Sequence, residues 1–225
     1  MESVPEYLCR RIKGPITIDG DLDKAVWREI QPFPPFQLYD GSRPASRQTL
    51  AKACWDNEFF YFAFDCEDPD IWGTMHQRDD PIYQEEVVEI FLSFPGELTT
   101  YYEFEVSPHN VVFDTLIRNP TGRRGEMASN IAWDCQGLKT AVRVFGTLDD
   151  RTDIDERWQV EVAIPFAALL GQESASVKVG DVWRGNIYRI ERTPTLEFSA
   201  WSPTFKLSYH VPQRFGKLIF TEGQE

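Results

Sequence analysis

The sequence predicts an all-β protein: an antiparallel β-sandwich with short helical turns, formed by a single domain over residues 1–225. Three observations carry this. Segments of strand length with two-residue alternation recur at regular spacing along the chain. Fifteen Pro and 14 Gly punctuate it throughout, and neither a linker nor an internal repeat divides it. Aromatic residues make up 14%, with 16 Phe, 8 Tyr and 7 Trp, the bulky side chains that a sheet-rich core packs.

The elements follow in chain order. Ile16-Thr17-Ile18 reads as a short strand ending at Asp19-Gly20, a turn signal. Asp23 to Glu29 reads as one or two helical turns, with Val26 and Trp27 facing the core. Leu50 to Trp55 and Phe59 to Cys66 form a hairpin around Asp56-Asn57-Glu58. Glu86 to Phe94 is the next strand. Tyr101 to Ser107 and Val111 to Leu116 form a second hairpin, turning at Pro108-His109-Asn110. Leu138 to Phe145 and Arg157 to Ile164 are further strands. Pro165 to Leu170 opens like a short helix with Pro in its first position. Trp183 to Glu191 and Phe215 to Phe220 are the last strands.

Charge narrows the function classes. There are 36 acidic and 23 basic residues, a formal net charge of -13. Such a surface repels phosphate backbones and anionic membranes, so neither nucleic acid nor a membrane is an expected partner. No apolar run is long enough to span a bilayer. Met1 to Arg11 lacks the basic start and apolar stretch of a signal peptide. The chain as written is therefore expected inside the cell, with export left open should a leader have been trimmed away. Cys9, Cys54, Cys66 and Cys135 have no CxxC spacing and read as free, buried thiols, with a disulfide left open for an exported chain.

The most informative segment is Tyr83 to Leu92. Val88, Ile90 and Leu92 fall on one strand face; Val87, Glu89 and Phe91 fall on the other. A carboxylate at mid-strand is costly when buried unpaired, so Glu89 must be ion-paired or face a polar cleft. In the next strand Glu103, Glu105 and Ser107 share one face, and Phe104 and Val106 the other. In Trp183 to Glu191, Arg189 and Glu191 share a face opposite Asn186 and Tyr188, which allows an Arg–carboxylate network beneath a cleft. Tyr83 and Tyr209 sit in polar loops beside prolines, where core packing explains them less readily; Trp72 and Trp201 also lie near loops. Aromatic faces and clustered hydrogen-bonding groups are what a sugar needs.

Other chemistries leave weaker traces. Glu85, Glu86, Glu89, Glu103 and Glu105 could supply a pair of catalytic carboxylates, whose separation the sequence does not reveal. There is no GxSxG, HExxH or P-loop. His76, His109 and His210 are far apart in sequence, without metal-ligand spacing. The acidic loops Asp19–Asp23 and Asp65–Asp70 make calcium a candidate ion, though neither matches an EF-hand loop, and acidic turns are more often simply turns.

The ordered landmarks resemble family 9 carbohydrate-binding modules. Ile16-Thr17-Ile18-Asp19-Gly20-Asp21-Leu22-Asp23 with Trp27 is similar to their opening, and Trp55-Asp56-Asn57-Glu58-Phe59-Phe60-Tyr61 to their first hairpin. Glu86-Val87-Val88-Glu89-Ile90-Phe91-Leu92 is similar to their D-S-V-E-I-F strand. Trp158 to Pro165, Trp201-Ser202 and Phe215-Gly216-Lys217-Leu218 complete the order. The resemblance covers nearly the whole chain. It implies a sandwich related to DOMON-like domains and a non-catalytic module holding a mono- or oligosaccharide, often beside a glycoside hydrolase partner.

Residue by residue, the resemblance implies a sugar ring clamped between Tyr83 and Tyr209, where the family has tryptophans. Glu89 takes the family's glutamate position and Lys206 that of an asparagine near the second ring. Glu105 and Ser107 stand where the family has arginine and asparagine. Arginine replaced by Glu105 reverses a charge in the floor of the site, which points to a different sugar or to a ligand with a positive group. Two alternatives stand beside this reading: a glycoside-processing enzyme using the clustered glutamates, and a haem-binding DOMON-like domain with Met75, His76 and His109 as candidate ligands.

Overall fold

The computed structural model describes residues 3–93, 97–171 and 176–223. Thirteen strands are seen among them: β1 (Glu6–Arg11), β2 (Gln37–Leu38), β3 (Thr49–Trp55), β4 (Phe59–Glu67), β5 (Val87–Ser93), β6 (Thr100–Val106), β7 (Val112–Arg118), β8 (Ala128–Asn130), β9 (Lys139–Phe145), β10 (Arg157–Pro165), β11 (Val182–Glu191), β12 (Glu197–Ala200) and β13 (Gly216–Thr221). Two short helices, α1 (Ala25–Glu29) and α2 (Phe166–Leu170), accompany them.

The strands form one hydrogen-bonded path, β8-β7-β6-β5-β11-β13-β1-β3-β4-β10-β9, with β12 attached to β11. The path curls so that its two halves face each other as a β-sandwich. Val88, Ile90, Leu92, Phe104 and Ile187 from one half meet Phe60, Phe62, Phe64, Val160 and Val162 from the other in the main core. Both sets obey the two-residue period. Most neighbours are antiparallel; β1 lies parallel to both β13 and β3.

The hairpin β3–β4 turns where Asp56 sits. Its Oδ1 accepts the N–H groups of Glu58 and Phe59, each at 2.8 Å, and its Oδ2 accepts the Tyr61 hydroxyl at 2.7 Å. Cys54 pairs with Tyr61 and Cys66 with Thr49, and all four cysteines are free and buried. The β6–β7 hairpin turns through Asn110, whose φ of 57° is the left-handed conformation that asparagine tolerates.

Some elements depart from expectation. Ile16 to Ile18 forms no strand; both isoleucines are half-buried against a small cluster around Trp27 and Tyr61 and have no ladder partner among the described residues. The helix expected over Asp23 to Glu29 begins at Ala25. Phe94, expected to end the β5 strand, lies outside the described residues. Strand β1 comes from a segment that reads as polar, because only Tyr7 and Cys9 turn inward while Leu8 is 60% exposed. The loop at Asp19-Gly20 is tied down by Glu161 of β10. This buried carboxylate accepts the N–H groups of Asp19 and Gly20 at 3.0 and 2.9 Å and the Trp27 indole at 2.7 Å, and pairs with Lys24 at 2.6 Å. Gly20 adopts φ +81°, and an added Cβ would stand 3.0 Å from the Val142 backbone, so glycine suits both the turn and the approach.

Candidate functional site

The outer face of the β5–β6–β7–β11 half-sheet carries a second apolar cluster, including Val87, Phe91, Tyr101, Tyr188 and Phe215. Loops cover part of this face and leave a cavity of about 620 Å³. Register places Glu89 opposite both Glu105 of β6 and Tyr188 of β11, and Glu105 opposite Phe113 of β7. Period-two alternation therefore brings Glu89, Glu103 and Glu105 onto the cavity side, while Val88, Ile90 and Phe104 enter the main core.

The walls come from loops. A single 3-10 turn, Ile82–Gln84, is anchored by fully buried Ile82, which presents its neighbour Tyr83 to the cavity at 38% exposure. The Tyr83 ring stands edge-on to Phe113, with centroids 5.7 Å apart. Tyr209 also lines the cavity, only 7% exposed. Its hydroxyl donates to the carbonyls of Arg189 (2.8 Å) and Ser199 (3.1 Å), which fixes the ring. Phe198, His210 and Arg124 also line the cavity.

Electrostatics at the floor is unusual. Oxygens of Glu89, Glu103 and Glu105 lie within 4.8 Å of one another, and all three residues are buried. Burial, reinforced by the charge of Glu103, holds Glu89 well above the usual carboxylate range. Burial pushes Glu103 up to about 7, with the Arg124 charge pulling the other way. Burial and the charges of Glu89 and Glu103 hold Glu105 well up. Burial and Arg124 lower the His210 imidazole to about 4, so it is neutral and sits 3.0 Å from the Tyr101 hydroxyl.

On the opposite face of the same strands, Arg189 is fully buried. It bonds Asp68 at 3.1 Å, Glu191, and the Glu67 carbonyl at 2.7 Å. Glu86 adjoins this network, and burial with the Asp68 and Glu191 charges raises it to about 11. The Arg–carboxylate network read from the alternation of β11 thus exists, on the core side of the sheet.

Of the six residues singled out in the sequence, Tyr83, Glu89 and Tyr209 line the cavity. Glu105 lies against Glu89 and Glu103, fully buried. The other two stand apart from the lining. Ser107 is buried in the β6–β7 turn, where its Oγ accepts the Val111 N–H at 3.2 Å. Lys206 is exposed, and its immediate neighbours Leu207 and Ser208 line the cavity in its place. Glu103, Phe113, Phe198 and Arg124 also belong to the site. Only Glu103 carried a sequence signal, its shared face with Glu105.

Other expected constellations resolve as follows. Trp201 is core, packed on Phe33 and Tyr7, and Trp72 lies beneath Arg151. His76 and His109, distant in sequence, meet with ring centroids 4.6 Å apart, and His109 reaches Asp149 at 2.9 Å. In the acidic loops, Asp19 pairs with Lys24, Asp70 with Arg151, and Asp68 joins Arg189. Carboxylates that could hold a cation converge at Asp68–Glu86–Glu191, at Asp79–Asp114–Asp134 and at the cavity floor. Arg78 already pairs with Asp114 and Asp134 in the second of these.

Residues 43–220 match the model of carbohydrate-binding family 9, and the chain belongs to that family. An extracellular protein of Arthroderma benhamiae is 29% identical over 214 residues, covering 89% of this chain and 84% of the relative. Endo-1,4-beta-xylanase A of Thermoanaerobacterium saccharolyticum is 27% identical over 162 residues, 72% of this chain but only 12% of the enzyme. Among solved structures, a Bacteroides uniformis protein shares the fold with a TM-score of 0.74 at 16% identity, covering 97% of this chain and 100% of that one. A family 9 module from Caldicellulosiruptor kristjanssonii, solved with glucose, gives a TM-score of 0.66 at 15% identity, covering 98% and 97%.

Proposed function

We propose that this protein is a non-catalytic carbohydrate-binding module whose ligand enters the cavity between Tyr83 and Tyr209. The observation that carries the reading is Tyr83 itself. Its ring is 38% exposed beside a cavity that also holds buried carboxylates, and a turn anchored by Ile82 holds it there. A sugar lays its C–H face on such a ring and its hydroxyls on the acids. Glu89 and Glu103 accept those hydroxyls at the floor, and Glu105 supports them from behind. The glucose-bound family 9 module of the same fold supports a saccharide ligand. The xylanase that carries a similar segment within a much longer chain supports a glycoside hydrolase as working partner.

The test is a glycan array followed by calorimetry, with calcium and with chelator. Binding to one sugar class, reduced about tenfold or more in Tyr83→Ala, is expected. Unchanged binding in Tyr83→Ala would place the ligand elsewhere on the protein.

A further inference from the structure

The floor of the cavity gathers more ionisable groups than a neutral sugar calls for. Glu89, Glu103 and Glu105 are 2%, 6% and 0% exposed. Among the described residues none of the three forms an ion pair with a basic side chain; Arg124, whose charge reaches Glu89 and Glu103, lines the cavity without pairing to either. Both Glu105 oxygens are buried away from any basic side chain among the described residues. Its polar neighbours are the other two acids and the Tyr83 backbone N–H.

Burial on this scale keeps carboxyl groups protonated unless a cation joins them. A hydroxyl group can donate one hydrogen bond to a carboxylate but brings no compensating charge. A bare divalent ion would bring charge, yet it also wants further oxygen ligands. Tyr83, Phe113, Phe198 and Tyr209 line the same cavity and offer aromatic surface instead. An ammonium group on a carbon ring uses both halves of the site. Its N–H groups donate to the carboxylates, while the ring's C–H surface and the spread positive charge lie against the aromatic faces.

We propose that the cavity selects a sugar carrying a free, protonated amino group, with the ammonium between Glu89 and Glu103 and with Glu105 behind them. This rests on the carbohydrate reading given above and narrows it to amino sugars.

Calorimetry at pH 6.5 with glucosamine, N-acetylglucosamine, glucose, the non-sugar amine cyclohexylamine and calcium chloride tests both. Glucosamine is expected to bind at least tenfold more tightly than glucose and N-acetylglucosamine, as charge-assisted hydrogen bonds imply. Glu105→Gln and Glu89→Gln are expected to erase that margin. If glucose binds as well as glucosamine, the amine assignment falls and the carbohydrate reading stands. If cyclohexylamine matches glucosamine and glucose does not bind, the sugar assignment falls as well. If calcium alone binds the wild type, and glucosamine does not, the floor is a metal site and the proposal is overturned. If nothing binds, both readings fail. The wild-type comparison decides the matter by itself should a variant not fold.

Discussion

Tyr209 lies flat on Tyr188, with ring centroids 4.0 Å apart and planes 15° from parallel. One face of Tyr209 is therefore already occupied, and its hydroxyl is bound to two backbone carbonyls. The two tyrosines implied as a clamp are physically unequal. Tyr83 is a platform open to ligand; Tyr209 is part of the wall.

The inequality has a direct consequence. Tyr209→Ala should destabilise the protein by about 3–5 kcal/mol, as loss of a buried aromatic does. Tyr83→Ala should leave thermal unfolding within about 1 kcal/mol of wild type while costing about 1–3 kcal/mol in affinity. Thermal denaturation and calorimetry on both variants separate the two roles. Equal losses of stability would show that Tyr83 is a packing residue too.

Stability should fall as pH rises above the carboxylate range. Glu103 titrates near 7 in the folded protein, and Glu89 and Glu105 are raised as well. A raised carboxyl keeps its proton in the fold after the unfolded chain has lost it. Its contribution is thus full below about 4.3 and is lost as pH climbs through the folded value. The lowered His210 acts oppositely between about 4 and the ordinary imidazole value, so the decline should be clearest from pH 6.5 to 8. Chemical denaturation across that window should show it, and Glu105→Gln should flatten it. A wild-type protein equally stable at both ends would contradict this account.

Glu105→Gln should also raise stability at pH 8 while weakening an amine-bearing ligand. The neutral amide keeps the shape of the side chain and takes an ionisable group out of the buried cluster. Denaturation midpoint and affinity should move in opposite directions. A drop in both would mean that the ionised carboxylate supports the fold.

Arg189→Met should be severe, about 3–5 kcal/mol. It leaves Asp68 and Glu191 buried without their cation in the interior of the sandwich. Lys24→Met should be milder, because Glu161 keeps hydrogen bonds from Asp19, Gly20 and Trp27. Urea denaturation of the two variants ranks the networks; a Lys24→Met loss as large as that of Arg189→Met would refute the ranking.

Much of the sandwich was legible in the chain because alternation and burial share a period of two. That period alone puts Glu103 and Glu105 on one face; bringing Glu89 beside them takes the pairing of β5 with β6. What stayed hidden depends on long-range contacts. Strand β8, Ala128–Asn130, is exposed throughout and offers no apolar pattern; it exists because β7 provides an edge. Strand β1 needs β13 from the far end of the chain. Ile16 to Ile18 shows the reverse case: it has strand-forming residues and no neighbour to pair with. In the site, Phe113 and Phe198 reach the cavity only through the register of β7 and the attachment of β12 to β11. Ser107 and Lys206 were assigned by similarity of position, and local turn geometry directs them away from the lining.

The two faces of β5 and β11 make opposite use of acidic residues. Toward the core, Arg189 holds its carboxylates in a settled arrangement. Toward the cavity, three acids confront one another, and among the described residues no arginine or lysine pairs with them. Burial keeps protons on these acids, and a cationic guest would displace them. Occupancy should then release protons to the medium, so that the heat of binding changes with the ionisation enthalpy of the buffer.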